Sequence, residues 1–448
     1  YTQAVEQWTR LSRDYPQAPE TETADFQSAD TYFRAQKYQE SAAAYEAIIA
    51  RYPSGKQLPL AYLRVAQVYY NLKQDARAVE QTRVVAEKFP DAQEAYDALD
   101  LAEVLFDRDP ALDFKGYFTA VAAAEKRSRT TGEALFRLGR RLFEKKEYPG
   151  AIEKLKKFCV EYIDHASVKD AQFYLGEAYF QTGDMENAAG VFDRFAINYP
   201  DSKEHPLALF RLGNAYYNEK KYEPASKAYG RLTELYPENE YIKPALFNLA
   251  LCYKSIGLTD RAEEAYGRYY ELSAKSEEAL GALWEIFNIR KTRGDVAGSL
   301  KTLTEIYGEA GGKDDALEAL YRMGEINAEN NMLEEARGRW EELAQHKPLN
   351  SPWRLQGLVK LAELYEGEKN YPEAAKTYED IARNSAPEVS KAAAERARAL
   401  LRMNYPESGG AAGEPDRSAK PAPAEKGPRT VKKGQPVKMQ DLPGFQEK

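Results

Sequence analysis

Eight positions recur along this chain at one fixed stride of 37 residues, and that stride constrains the fold more than any single residue does. Leu209, Leu212, Gly213, Tyr216, Ala225, Tyr229, Leu232 and Pro237 stand 37 positions after Gln172, Leu175, Gly176, Tyr179, Ala188, Phe192, Phe195 and Pro200. The phase runs forward through Leu246, Leu249, Ala250, Tyr253, Ala262, Tyr266 and Tyr269, and backward through Leu135, Leu138, Gly139, Leu142, Ala151, Leu155 and Phe158. A unit of this size cannot bury an apolar face alone. It stacks on its neighbours, and the result is a solenoid.

Spacing within a unit predicts two antiparallel helices. Leu209, Leu212, Gly213 and Tyr216 fall at i, i+3, i+4 and i+7, one apolar stripe of an α-helix, and Ala225, Ala228, Tyr229 and Leu232 make a second. Asn218 to Tyr222 is the short polar turn between them. Small residues at Gly213 and Ala225 let the backbones approach, while Tyr216 and Tyr229 fill the space beside them. Pro237 ends the second helix because it cannot continue one.

These residues resemble the tetratricopeptide (TPR) repeat, with its order of large residue, Leu, Gly, Tyr, Ala, aromatic, small or apolar residue and Pro. The stride exceeds the usual ~34 by the link after the proline, as in Asp201-Ser202-Lys203. The resemblance covers residues 1 to about 403 and implies an all-α fold: an α-solenoid of about ten TPR-like hairpins in a right-handed superhelix, with a disordered C-terminal tail. Residues 1–90 form N-terminal units, the first half-present, since Ala4, Trp8, Leu11 and Pro16 supply only a second helix. Tyr1 is therefore expected to be a cut or processed end. Residues 91–131 are a degenerate unit, whose turn at Asp107-Arg-Asp-Pro is unusual. Units continue over 132–385, a capping helix covers 386–405, and the tail 406–448 is rich in Pro, Gly, Ala and Lys. Such a composition buries too little surface to offset the entropy of ordering it. The tail's basic cluster, Arg429, Lys432, Lys433 and Lys438, is either a solvated tail or a docking motif for an acidic partner.

Composition excludes several functions. The net charge of −8 argues against a nucleic-acid footprint, which needs clustered Lys and Arg. No stretch approaches the ~20 apolar residues of a membrane span. His165, His205 and His346 are far apart in register, and none has a second ligand at i+3 or i+4 on one helix, so no metal and no cofactor is expected. Cys159 and Cys252 read as small core residues. No nucleophile elbow, phosphate loop or dinucleotide fingerprint is present, and the chain reads as non-enzymatic.

The remaining functional signal is surface. One residue after the first large position, turning about 100° per residue, lies the inner wall of the first helices. It carries Phe136, Phe173, Phe210 and Phe247; seven residues on, it carries Phe143, Phe180 and Tyr217, with Asn214 between. These eight residues are the candidate peptide-binding site. Two readings compete: aromatic side chains wedged between adjacent helices, or a groove that anchors apolar side chains of a partner. The carboxylate clamp of chaperone-binding TPR domains needs Lys and Asn at these sites, where this chain has Phe, Glu and, once, Asn214.

Second helices ending in Ile49-Ala50-Arg51-Tyr52-Pro53, Ile197-Asn198-Tyr199-Pro200 and Leu235-Tyr236-Pro237 resemble the repeats of bacterial envelope TPR proteins. That group includes the TPR lipoprotein of outer-membrane β-barrel assembly and the accessory protein of the Tol-Pal system. The resemblance implies a periplasmic scaffold near the outer membrane, with a protein or peptide partner, peripheral membrane association through sequence before Tyr1, and a place in a larger assembly. Alternative readings are a cytoplasmic adaptor, or the targeting arm of an enzyme whose catalytic domain precedes Tyr1.

Overall fold

A computed structural model describes residues 1–124, 126–273 and 277–404; the tail expected to be disordered lies outside the described residues. Every described element is a helix, and there are 22 of them. In chain order the first nine are α1 (Thr2–Asp14), α2 (Thr21–Arg34), α3 (Tyr38–Arg51), α4 (Leu58–Asn71), α5 (Asp75–Lys88), α6 (Gln93–Arg108), α7 (Phe114–Ala122), α8 (Arg129–Glu144) and α9 (Tyr148–Glu161). Next come α10 (Val168–Gln181), α11 (Met185–Asn198), α12 (His205–Asn218), α13 (Tyr222–Leu235), α14 (Ile242–Ser255) and α15 (Thr259–Leu272). The last seven are α16 (Glu277–Arg293), α17 (Val296–Ala310), α18 (Asp314–Glu329), α19 (Leu333–Gln345), α20 (Pro352–Gly367), α21 (Tyr371–Asn384) and α22 (Pro387–Asn404). The described residues divide into two compact units between Leu361 and Ala362, inside α20.

In the first unit successive helices pack on one another, as a stack of hairpins requires, except that α6 packs chiefly on α4, α5 and α8 and meets α7 through Phe106 against Phe114, Tyr117 and Phe118. Each hairpin closes where a small residue of the first helix meets a large one of the second. A Cβ added at Gly213 would lie 2.5 Å from the Tyr229 ring, one at Gly176 would lie 2.8 Å from Phe192, and one at Gly139 would lie 2.7 Å from Leu155. No side chain fits there. Ala250 takes the position in the next hairpin, and both it and Tyr266 are fully buried.

The turn inside each hairpin is equally regular. Gln36 and Lys73, and then Lys146, Gly183, Lys220, Gly257, Gly294 and Asn331, recur at the stride, with one residue lost between Lys73 and Lys146, and all adopt positive φ. The left-handed conformation reverses the chain in few residues, yet for L-residues it costs about 1–2 kcal/mol. Steps of 37 forward from Lys73 and back from Lys146 land on Pro110 and Asp109; the proline ring fixes φ near −65° and holds the residue before it extended, Asp109 at φ −129°, so neither adopts that conformation. The hairpin containing them is accordingly the irregular one. Residues 109–113 form a different turn, capped where Asp113 accepts from the Gly116 amide at 2.9 Å, and α7 is cut to 9 residues.

Links between hairpins repeat as well. Ser202 N–H donates to the Tyr199 carbonyl (3.1 Å) and His205 N–H to the Ser202 carbonyl (3.0 Å), giving two successive turns. Tyr162, His165 and Val168 make the same pair, as do Tyr236, Asn239 and Ile242. In Tyr199-Pro200 and Tyr236-Pro237 the proline bars the preceding residue from helical backbone, so the second helix stops at an aromatic residue.

In the second unit α21 packs on α22, burying Ala374, Ala375 and Ile381 with Ala393, Ala397 and Leu400. Lys369 has the left-handed φ of 63° in its turn, and Arg396 of α22 pairs with Glu366.

Two sets of substitutions check these constraints. Gly213→Val should destabilise by about 2–3 kcal/mol through overpacking against Tyr229, whereas Gly230→Ala, where nothing lies within 4 Å, should stabilise by about 0.5–1 kcal/mol. Lys220→Gly should stabilise by about 1 kcal/mol and Gly183→Ala destabilise by a similar amount. Denaturant midpoints of the four variants are the readout.

Candidate functional site

The candidate residues lie on α8, α10, α12 and α14, first helices of consecutive hairpins, of which α8 and α10, and α10 and α12, touch directly. Each phenylalanine of the first row turns one face to the second helix of its own hairpin. Phe136 is 5.7 Å from Phe158 between ring centroids; Phe173 is 6.0 Å from Phe192 and 5.5 Å from Phe195. Phe210 lies 6.0 Å from Tyr229 and stacks on Tyr241 at 5.4 Å, and Phe247 is 5.7 Å from Tyr266 and 5.3 Å from Tyr269. Phe136 is buried, while Phe173, Phe210 and Phe247 are half-buried. The row therefore cements each hairpin and leaves three ring edges at the surface.

The second row sits nearer the hairpin turns. Phe143 packs edge-on against Tyr148 (5.5 Å) and Tyr174 (5.3 Å), and Tyr217 packs edge-on against Tyr222 (5.5 Å). Both are half-buried. Phe180 is buried under the Arg211 guanidinium, 4.9 Å from its ring centroid. Arg211 in turn donates to Glu177 at 2.7 Å, and both are almost fully enclosed.

Asn214 is also buried, 3% exposed, at the meeting of α12, α13 and α14. Its Oδ1 accepts from the Tyr229 hydroxyl at 2.6 Å and from Asn248 Nδ2 at 3.4 Å, and Asn248 Nδ2 also reaches the Tyr229 hydroxyl at 3.3 Å. Burial pushes the Tyr229 phenol well above its ordinary pKa, which keeps it a donor. Asn214 thus ties three helices together. Phe136, Phe180 and Asn214 underlie the surface, and Phe143, Phe173, Phe210, Tyr217 and Phe247 reach it.

Sequence reasoning missed two members of the first row. Steps of 37 from Phe247 give Trp284 and Tyr321, so an aromatic residue occupies this position in six consecutive units. Trp284 is half-buried and its Nε1 donates to Asp315 of α18 at 2.8 Å; Tyr321 is buried against Trp353, 5.5 Å away. The stride itself carried the signal, hidden because the residue type changes from phenylalanine.

Polar pairs join the same first helices into a seam. Arg137 of α8 donates to Asp100 of α6 at 2.6 Å, Arg140 to Glu103 at 2.7 Å, and Lys254 of α14 pairs with Glu285 of α16 at 2.5 Å. Glu133, His165 and Ser167 also converge, but not as a nucleophile and its base. The Ser167 hydroxyl donates to Glu133 Oε2 at 2.8 Å, while His165 Nδ1 accepts the Ser167 backbone N–H at 3.1 Å. His165 Nε2 is spent on the Arg129 carbonyl (3.1 Å) and the Tyr96 hydroxyl (3.0 Å), so the trio pins a link to its neighbours. Burial raises the thiols of Cys159, to about 11, and Cys252, to about 12, above reactive range.

Tetratricopeptide-repeat family models match residues 1–56, 26–92, 170–202, 206–239 and 244–276. The chain carries TPR repeats. Residues 203 and 204, between two matched TPR units, belong to the link that lengthens the stride. No curated protein sequence matches the chain. Among solved structures it is similar to a TPR protein from Parabacteroides merdae, with 16% identity over 60% of this chain and 98% of that one and a TM-score of 0.33. MamA shares 20% identity over 47% of this chain and 98% of that one, TM-score 0.31. The TPR2AB domain of yeast Sti1 in complex with pHSP90 shares 15% over 62% and 98%, TM-score 0.33. TPR arrays are protein-interaction scaffolds, which stack repeats into extended binding surfaces.

Tyr229→Phe tests the buried hub. It strips Asn214 Oδ1 of its best donor and should cost about 1–3 kcal/mol, the penalty for an under-satisfied buried polar group. Tyr266→Phe, whose hydroxyl has no partner among the described residues, should cost less. Equal shifts in the two thermal melts would contradict the assignment.

Proposed function

We propose that this chain is a non-enzymatic scaffold that holds segments of partner proteins against the aromatic edge of its first helices, in a bacterial cell envelope. One observation carries the binding reading. Within a row of aromatic residues kept through six units, Phe173, Phe210, Phe247 and Trp284 stay half-buried in consecutive hairpins, their inner faces fixed by packing and their outer edges at the surface. A ring already immobilised loses little further entropy on binding, and buried aromatic anchors are where binding energy concentrates. With neighbouring helices about 10 Å apart, four rings span roughly 30 Å, the length of about nine extended residues. The envelope setting is supported by the aromatic-Pro endings of the second helices, which resemble those of envelope TPR proteins. Cell fractionation of the natural protein should place it with periplasmic markers; recovery only with cytosolic ones contradicts the setting.

Selection from a random peptide display library tests the binding site. Peptides with aliphatic or aromatic anchors should be enriched. Leucine at Phe210 and Phe247 keeps contact with Tyr229 and Tyr266 but removes the ring edge, so the double variant Phe210→Leu with Phe247→Leu should bind more than about tenfold more weakly while melting within a few degrees of the parent. Unchanged affinity, or a melting loss as large as the ~3–5 kcal/mol of a core phenylalanine truncation, contradicts the proposal.

A further inference from the structure

The face of the second helices that packs on nothing carries a pattern of its own. Lys157 of α9, Arg194 of α11, Arg231 of α13 and Arg268 of α15 stand at the common stride, and all four are exposed. Among the described residues no carboxylate forms an ion pair with any of them; Arg268 donates only to the Thr233 carbonyl of α13, at 3.4 Å. The stride stops there, at Ala120 before and Glu305 after. Other exposed bases of this acidic chain do face a carboxylate, as Arg293 faces Asp260 and Lys227 faces Glu223.

One helical turn beyond each base stands an exposed aliphatic residue. Val160 (71% exposed) follows Lys157 and Ile197 (62%) follows Arg194 by three positions; Leu235 (57%) follows Arg231 and Leu272 (46%) follows Arg268 by four. Each of four consecutive second helices therefore offers one cation and one aliphatic side chain.

Glycines leave room beside the ladder, as others do at Gly281, Gly308 and Gly338. Gly190, Gly230 and Gly267 lie inside α11, α13 and α15, and nothing beyond the flexible end of Arg194 comes within 4 Å of an added Cβ. Each costs about 0.5–1 kcal/mol of helix stability relative to alanine. Unlike Gly213, none is required by packing within the chain. Bare backbone beside each of these three arginines permits close approach from outside.

We propose that this outer ladder docks an extended acidic segment of a partner protein. Neighbouring second helices are about 10 Å apart, and an extended segment in the polyproline II conformation advances about 3.1 Å per residue with three residues per turn, so carboxylates at every third position share one face and meet successive bases. Aliphatic residues of the same segment would cover Val160, Ile197, Leu235 and Leu272. A narrow segment suits the site better than a flat anionic membrane, because exposed Glu234, Glu264 and Glu271 flank the bases and would repel a sheet of negative charge. The site lies on the second helices, apart from the aromatic edge, and stands whether or not that edge binds peptide.

The test is fluorescence anisotropy of the full chain with a labelled peptide of about twelve residues, bearing glutamate at every third position and leucine beside each, against an isomer with its glutamates clustered. The spaced peptide should bind more tightly, and binding should weaken from low salt to physiological salt, where charges are screened beyond about 8 Å. Arg194→Glu with Arg231→Glu should reduce affinity more than about tenfold, Gly230→Leu should also weaken it, and neither should lower the melting temperature. Phe210→Leu with Phe247→Leu should leave it unchanged, which separates this site from the aromatic edge. Equal affinity for the two peptides, indifference to the charge reversals, or binding to phosphatidylglycerol vesicles without binding to the peptide would overturn the proposal.

Discussion

The close approach of two helices at one residue per hairpin is the constraint on which the rest of the structure depends. At Gly139, Gly176 and Gly213 no side chain separates the first helix from Leu155, Phe192 or Tyr229 of the second. A bulky second-helix residue pressed against a bare backbone sets the spacing of the pair. That spacing decides which neighbouring positions are enclosed and which keep an edge in water. The aromatic row follows: a ring one residue past the first large position must lean on the second helix, as Phe210 leans on Tyr229.

The same contact fixes the turn. Two helices held this closely leave room for only a few connecting residues, and one of them takes the left-handed conformation in every regular hairpin. Lysine fills that position in four hairpins at some energetic cost, while proline cannot fill it at all. At Pro110 the array responds by shortening α7 and by linking α6 to α8 through Arg137–Asp100 and Arg140–Glu103. Charge pairing there bridges first helices across the irregular hairpin.

Much of this was legible in the sequence because the contacts that matter are repeated. Gly213, Tyr229 and Pro237 each do one job in every unit, so the stride exposed the helices, their order and the irregular unit around Asp107 to Pro110. The left-handed turn was not legible, since Lys73, Lys146 and Lys220 are not turn-forming residues by type; only their register marks them. Exposure was the harder quantity. Phe136 and Phe173 are equivalent in phase, yet the first is buried and the second half-buried, because α8 is enclosed along nearly its whole length. Asn214 looked like an open polar group on a wall and proved to be a hub, since the Tyr229 hydroxyl that occupies it comes from the second helix, fifteen residues on. The ladder from Lys157 to Arg268 was as periodic as the core and went unread because core positions set the phase.

If helix contacts at single small residues govern the array, local stability should follow their quality from hairpin to hairpin. Native-state amide hydrogen exchange on the full chain measures this directly. Protection should be highest in α8 to α13, where glycine admits Leu155, Phe192 and Tyr229, and lowest around the turn at 109–113 and in the short α7. Uniform protection along the first unit, or weaker protection in α12 and α13 than in α7, would contradict the account.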